Sequence, residues 1–276
     1  MQALEGNPVL IAQVIALAKS AGERIMDVYA DMLATSPERT ASLVSHKDDG
    51  SPLTRADLLA HQVIAQGLAL LTPEIAVVSE EDAQSLVHRL PTSTFWLIDP
   101  LDGTKEFLAR NGEFTVNIAL IQNGATIFGV VLAPALGQSY WGGVGLGAFR
   151  SIGQIVEPIT VTQPSERKQQ PLRVVASKSH MNAQTVEFIN RLGPHQLIQA
   201  GSSLKFCRVA EGAADVYPRL GPTCEWDTAA AQAIVEAAGG SVCALDGSRL
   251  RYGKPELLNP HFVASSAPAA TWLPPA

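Results

Sequence analysis

Cysteine is scarce. Cys207, Cys224 and Cys243 are the only three in 276 residues, an odd number at wide spacing with no C-x-x-C pair. That excludes a disulfide framework and a zinc ribbon, and it fits a reducing cytoplasm. No run of about 18 apolar residues occurs, so no integral membrane span is expected. A basic excess is missing too: 20 Lys and Arg stand against 26 Asp and Glu, for a formal charge of −6. A nucleic-acid binder needs a cationic face for the phosphate backbone, so no nucleic-acid partner is expected. The six histidines show neither H-E-x-x-H nor H-x-H spacing, which leaves a catalytic zinc site unsupported. With no G-x-S-x-G elbow and no G-x-x-x-x-G-K-[ST] loop, an α/β-hydrolase and a P-loop NTPase are disfavoured.

What is present is a globular composition, 46% hydrophobic and 17% charged, enough for one large domain or two modest ones. An acidic chain can still take a phosphorylated small molecule if metal ions supply the positive charge. Leu10, Val14, Leu17, Ala21, Ile25 and Val28 recur at spacings of three and four, which predicts an amphipathic helix and not a signal peptide. A polar turn around Asp49-Gly50 precedes a second helix, starting near Thr54 or Asp57 and carrying Leu58, Val63, Leu68 and Leu71. "EIAVVSEED" and "TFWLIDPLDGT" read as strands that end in acids. "EFTVNIALIQNGATIFGVVLAP" reads as a hairpin turning at Asn123-Gly124. The glycines of "WGGVGLGAF" do not open a helix, so they continue the sheet and do not mark a dinucleotide site.

"VTQPSERKQQPL", residues 161–172, is the most linker-like segment. Beyond it, "LRVVASKS", "NAQTVEFINRL", "LIQAGSSLKFCRVAEG", "AADVYPRL" and "EWDTAAAQAIVEAAGG" alternate strand and helix. The last helix stops at Gly239-Gly240. The fold class expected is α/β: an α+β half over 1–163 and an α/β half over 164–276, the second contributing Asp227.

Three acidic features fall where strands end or helices begin: Glu80-Glu81, Asp99 with Asp102, and Asp227. Clustered carboxylates repel unless cations lie between them, and Mg²⁺ takes hard oxygen ligands of this kind. In "DPLDG", Pro100 fixes a turn that can bring Asp99 and Asp102 to one point, with the Leu101 carbonyl between them. Gly103 and Thr104 then offer N–H groups and a hydroxyl to an anion. Each feature also has a plain alternative. Asp99 and Asp102 can be turn formers, Glu80-Glu81 a solvated strand end, Asp227 a first-turn acid, and Ser202 and Ser203 helix caps.

"SEED", "WLIDPLDGTKEFLARNGEFTVNIALI", "GSSLKFCRVAEGAADVYPR" and "GPTCEWDTAAAQAIVEAAGG" together resemble the inositol monophosphatase superfamily of lithium-sensitive, magnesium-dependent phosphatases. "DGTKEF", "GSSLKFC" and "GPT-x-x-WDTAA" look like its bacterial 3'(2'),5'-bisphosphate nucleotidase branch. The likeness runs from about residue 9 to about 262. It implies a five-layered αβαβα sandwich and two or three Mg²⁺ ions held by Glu80, Asp99, the Leu101 carbonyl, Asp102 and Asp227, with Glu81 nearby. Asp57 and Thr104 are implied to orient and deprotonate the attacking water. Gly103, Thr104, Lys105, Gly201, Ser202, Ser203 and Lys205 are implied to hold substrate. The implied substrate is a small phosphorylated nucleotide, adenosine 3',5'-bisphosphate from sulfate activation and sulfotransfer, cleaved to AMP and phosphate. An inositol or sugar monophosphatase is the alternative. A cytoplasmic location, or loose attachment to the cytoplasmic side of the inner membrane, goes with the resemblance, although no basic amphipathic helix supports attachment. A silent protein that kept only the fold would lack a metal acid or the Thr after Asp-Gly, and neither is missing.

Overall fold

The computed structural model describes residues 7–34, 45–46, 52–163, 170–177, 181–268 and 271–272. The turn expected at Asp49-Gly50 and the middle of the expected linker, 164–169, lie outside the described residues.

The first helix, α1 (Pro8–Leu33), is longer than the periodic stretch from 10 to 28. Asn7 caps it by accepting the Leu10 N–H, and Pro8 occupies the first position, where no N–H is needed. A short antiparallel pair, β1 (Ser45–His46) and β2 (Pro52–Leu53), precedes α2 (Arg55–Leu71). The buried stripe of α2 is Ala56, Ala60, Ile64 and Leu68, and Leu58 is exposed. The small alanines, not the larger Leu58, let α2 lie close against α1 and the sheet.

Seven strands in chain order form the first sheet: β3 (Ala76–Ser79), β4 (Thr94–Asp102), β5 (Thr115–Gln122), β6 (Ala125–Ala133), β7 (Gln138–Gly143), β8 (Gly147–Ile152) and β9 (Ile155–Ile159). Only β3 and β4 pair in parallel. The β5–β6 hairpin turns at Asn123-Gly124, as expected, with positive φ at both residues. A one-turn helix, α3 (Thr104–Leu108), leaves the end of β4.

The second sheet has the order β11-β10-β12-β14-β13, built from β10 (Leu172–Ser177), β11 (His195–Ala200), β12 (Val216–Arg219), β13 (Ser241–Ala244) and β14 (Phe262–Ser265). The first three run parallel, while β14 is antiparallel to β12 and β13. Its helices are α4 (Ala183–Arg191), α5 (Leu204–Ala210) and α6 (Ala229–Ala237). The N–H groups of Gly239 and Gly240 close on the Glu236 and Val235 carbonyls and end α6 where the sequence predicts.

Alternation along each strand builds the layers. Trp96, Ile98, Val116, Ile118 and Leu120 pack on α1 and α2. Phe95, Leu97, Ala119 and Ile121 face α5, α6 and one side of the second sheet, through Val175, Tyr217 and Phe262. Val174, Val216 and Val263 cover α4 from the other side. The result is the five-layered αβαβα sandwich. No helix among the described residues is long and apolar enough to cross a membrane.

The middle layer fits only because its contacts are small. A Cβ placed on Gly129 of β6 would stand 2.1 Å from the Ala230 carbonyl oxygen of α6. Gly129→Ala is expected to lower unfolding stability by about 2–3 kcal/mol, read from the urea midpoint at constant m-value.

Candidate active site

β4 does not stop at Ile98 but continues to Asp102, and its irregularity makes the site. Asp99 pairs with Asn117 and Asp102 with Thr115, so three steps along β4 oppose two along β5. The extra residue is a bulge. In an unbroken strand, residues three apart point to opposite faces. Here Leu101 turns into the apolar layer with α1 and α2, and Asp99 and Asp102 come to share the face toward the middle helices. The bulge strands no backbone donor. Pro100 has no N–H, and the Leu101 N–H donates to Asp99 Oδ1 at 3.1 Å.

Glu80, Asp99 and Asp227 each place a carboxylate oxygen within 4.8 Å of the others. Glu80 follows β3, and its N–H donates to the Ile98 carbonyl of β4. Asp227 closes a one-turn 3₁₀ helix, Glu225–Asp227, and accepts the Cys224 N–H at 2.8 Å, so it caps and converges at once. Two ionised carboxylates at such a separation repel by roughly 3 kcal/mol at an effective dielectric of about 20. Burial, then Glu80, Asp102 and Asp227, push the Asp99 carboxyl well above its ordinary 3.8. Burial, then Asp102 and Glu80, do the same to Asp227. An all-oxygen, anionic donor set suits a hard divalent cation.

Asp102 stands beside this trio, not within it. Its Oδ2 accepts from Ser203 N–H at 2.8 Å and Ser203 Oγ at 3.0 Å, with Thr115 and Asn117 farther off. Ser203 thus holds Asp102 and, although it is the N-cap of α5, makes no capping bond. Ser202, in the left-handed region, donates its Oγ to the Asp102 carbonyl at 2.5 Å. Gly103 is required next to it: φ is +89°, and a Cβ would meet that Oγ at 2.4 Å. The Gly201 N–H donates to Glu113 Oε2, and the Glu81 N–H to Ser79 Oγ.

Asp57 also does two things. Its Oδ2 accepts the Thr54 N–H and hydroxyl, a capping box that starts α2. Its Oδ1 lies 3.4 Å from the Thr104 hydroxyl, which is equally far from the Leu101 carbonyl. The box thus holds a buried carboxylate against Thr104.

A cavity of about 270 Å³ opens over these groups. Glu80, Asp102, Gly103, Thr104, Lys105, Ser202, Lys205 and Asp227 line it, while Asp57, Glu81, Asp99, Leu101, Gly201 and Ser203 do not form its wall. Its lining also includes Phe206, Tyr217 and Arg219, which the sequence reading left out. Lys205 is buried, donates to the Ser202 carbonyl at 2.6 Å and lies 5.7 Å from the Tyr217 ring centroid. Burial lowers its ammonium to about 8. Arg219 donates Nη2 to the Pro222 carbonyl, and its buried Nε has no partner among the described residues. The available signal was position: Tyr217 and Arg219 sit at the C-terminal end of a parallel strand, where open α/β sheets bind ligands.

With this geometry in view, the inositol monophosphatase family model matches residues 7–272. The chain belongs to the inositol monophosphatase family. Two of its relatives in that family are both 3'(2'),5'-bisphosphate nucleotidase CysQ. That of Salmonella typhimurium is 47% identical over 254 residues, 92% of this chain and 98% of that protein. That of Escherichia coli K12 is 47% identical over 257 residues, 93% and 99%. The crystal structure of CysQ from Bacteroides thetaiotaomicron, a bacterial member of the inositol monophosphatase family, has a TM-score of 0.79 at 37% identity. It covers 97% of this chain and all of that one.

A carboxyl whose native pKa is raised binds its proton more tightly in the folded state, so its contribution is present at low pH and lost as pH rises through the raised value. The metal-free protein is therefore expected to lose thermal midpoint as pH rises above the ordinary carboxylate range, with magnesium restoring most at the high end. Asp99→Asn should raise the metal-free midpoint at about pH 8 and flatten this slope, as scanning fluorimetry with and without chelator would record.

Proposed function

We propose that the chain is a magnesium-dependent phosphatase that removes the 3'-phosphate of adenosine 3',5'-bisphosphate, leaving AMP and phosphate. One observation carries this reading: a single cavity is lined by Glu80, Asp102 and Asp227 of the acidic cluster, by Thr104 with Asp57 directly behind it, and by Lys205, Tyr217 and Arg219. The near-complete likeness to CysQ nucleotidases agrees with it. Two or three Mg²⁺ ions are the reading for the cluster, with Glu80, Asp99, the Leu101 carbonyl, Asp102 and Asp227 as ligands. Bound there, they would acidify a water and offset charge on phosphorus and on the leaving oxygen.

The chain's own residues do the rest. Asp57, fixed by the Thr54 box, accepts from Thr104, and the Thr104 hydroxyl then orients the attacking water and passes its proton toward Asp57. Ser203, Thr115 and Asn117 keep Asp102 turned toward the cavity. Gly103, Thr104 and Lys105 take the scissile phosphate, and Gly201 and Ser202 shape the loop beside it. Lys205 and Arg219 give the second phosphate a cationic seat, and Tyr217 and Phe206 supply aromatic surface for a base. An inositol monophosphate, with one phosphate and no base, would leave those groups without a partner.

Asp99→Asn is expected to cut kcat by at least ~10²-fold at saturating magnesium, since charge developed in the transition state would go uncompensated. Arg219→Met removes a charge-assisted contact of about 2 kcal/mol. It should therefore raise KM for the bisphosphate roughly 30-fold while sparing adenosine 3'-monophosphate. A wild-type preference for myo-inositol 1-phosphate over adenosine bisphosphate, in phosphate release, would overturn the substrate assignment.

A further inference from the structure

Glu225 lies two residues before Asp227, is fully buried and is not part of the cavity wall. Its carboxylate collects the Gly253 N–H at 2.8 Å, the Lys254 N–H at 3.1 Å and Lys254 Nζ at 2.5 Å. Arg89 Nη1 stands 3.2 Å away. Arg89, with its side chain 8% exposed, also donates to the Lys254 carbonyl at 2.5 Å and to the Pro255 carbonyl. Two cations and two amides around one buried carboxylate are a costly arrangement, and the reaction as described does not use it.

Its place in the fold gives it a use. Arg89 caps the 3₁₀ turn Ala83–His88, which follows directly on Glu80 and Glu81. Glu225 opens the 3₁₀ turn that delivers Asp227. The Arg89–Glu225 pair therefore joins the two short segments that carry Glu80 and Asp227. Those segments hang from different sheets, one after β3 and the other after β12, and the carboxylates they carry repel. Other contacts hold the Asp227 turn to its own half and to the middle helices. The Glu225 N–H donates to the Leu257 carbonyl, Asn259 to the Cys224 carbonyl and Ser203 Oγ to the Asp227 carbonyl, and Trp226 packs in the core. The Arg89–Glu225 pair is the ionic tie to the segment that follows Glu80.

We propose that Arg89, Glu225 and Lys254 form a buried ionic clasp that fixes the spacing of Glu80 and Asp227, and with it the affinity for a divalent cation. This rests on reading the carboxylate cluster as a cation site. Arg89 and Glu225 are positioning residues and touch neither cation nor substrate.

The test is direct Mn²⁺ binding to the purified full chain by electron paramagnetic resonance, with steady-state kinetics beside it. Glu225→Gln keeps size and an acceptor but removes the charge. It should weaken Mn²⁺ binding about tenfold or more, as expected when a group that orients a ligand is altered. At saturating magnesium its KM for adenosine bisphosphate should stay within about twofold of wild type and kcat should largely recover. Arg89→Lys, which keeps the charge but not the fork, should fall between wild type and Glu225→Gln. A folded Glu225→Gln protein that binds Mn²⁺ like wild type overturns the clasp, even if its melting temperature drops. Should that variant not fold, Lys254→Met decides, because this lysine is partly exposed. About threefold weaker Mn²⁺ binding supports the clasp, and unchanged binding overturns it. If wild type binds Mn²⁺ yet hydrolyses no nucleotide bisphosphate, the phosphatase reading fails while the clasp is still judged on Mn²⁺ alone.

Discussion

Repulsion among carboxylates held at close range is the constraint on which the rest of the structure depends. Glu80, Asp99 and Asp227 would separate if their carriers were free, because each loses solvent and gains like-charged neighbours on folding. The protein opposes this with rigidity. Glu80 is tied to β4 through its backbone, Asp99 sits within a nine-residue strand paired on both sides, and Asp227 caps its own turn. Stability is given up here so that a cation can restore it, a common trade at sites built for charge.

Secondary hydrogen bonds divide the labour. Thr54 serves Asp57, and Ser202 and Ser203 serve Asp102. Several residues that the family pattern places at substrate thus spend their polar atoms on other site residues. Ser203 and Gly201 are the clearest cases, with contacts to Asp102, Asn117 and Glu113. Orientation of the acids and contact with ligand are carried by different atoms of the same short loop.

Much of this was legible in the chain itself. Strong periodicity gave α1 and α2, and the Asn-Gly turn gave the β5–β6 hairpin. Acids at the ends of apolar runs pointed to the cluster before any coordinates. Other parts were hidden for physical reasons. β13 and β14 are four residues each, too short for a period to show; β14 forms because β12 offers it an edge, and β13 because β14 then offers the next one. Leu58 looked like core, yet tight helix packing selected the alanines beside it. Tyr217 and Arg219 carry no motif of their own and gain meaning only when β12 is placed beside β10.

The bulge in β4 has a consequence for how such a site can be gained or lost through evolution. The shared orientation of Asp99 and Asp102 depends on an odd residue in the count, not on the identity of any one side chain. Deleting a single codon between them would restore regular pairing with both acids still on one face, since residues two apart point alike. It would, however, flatten the kink and remove a residue from the turn that Leu101 anchors in the layer beneath α1 and α2. A point change at Leu101 leaves the residue count intact, so lineages of this fold should tolerate apolar swaps there better than a change of length.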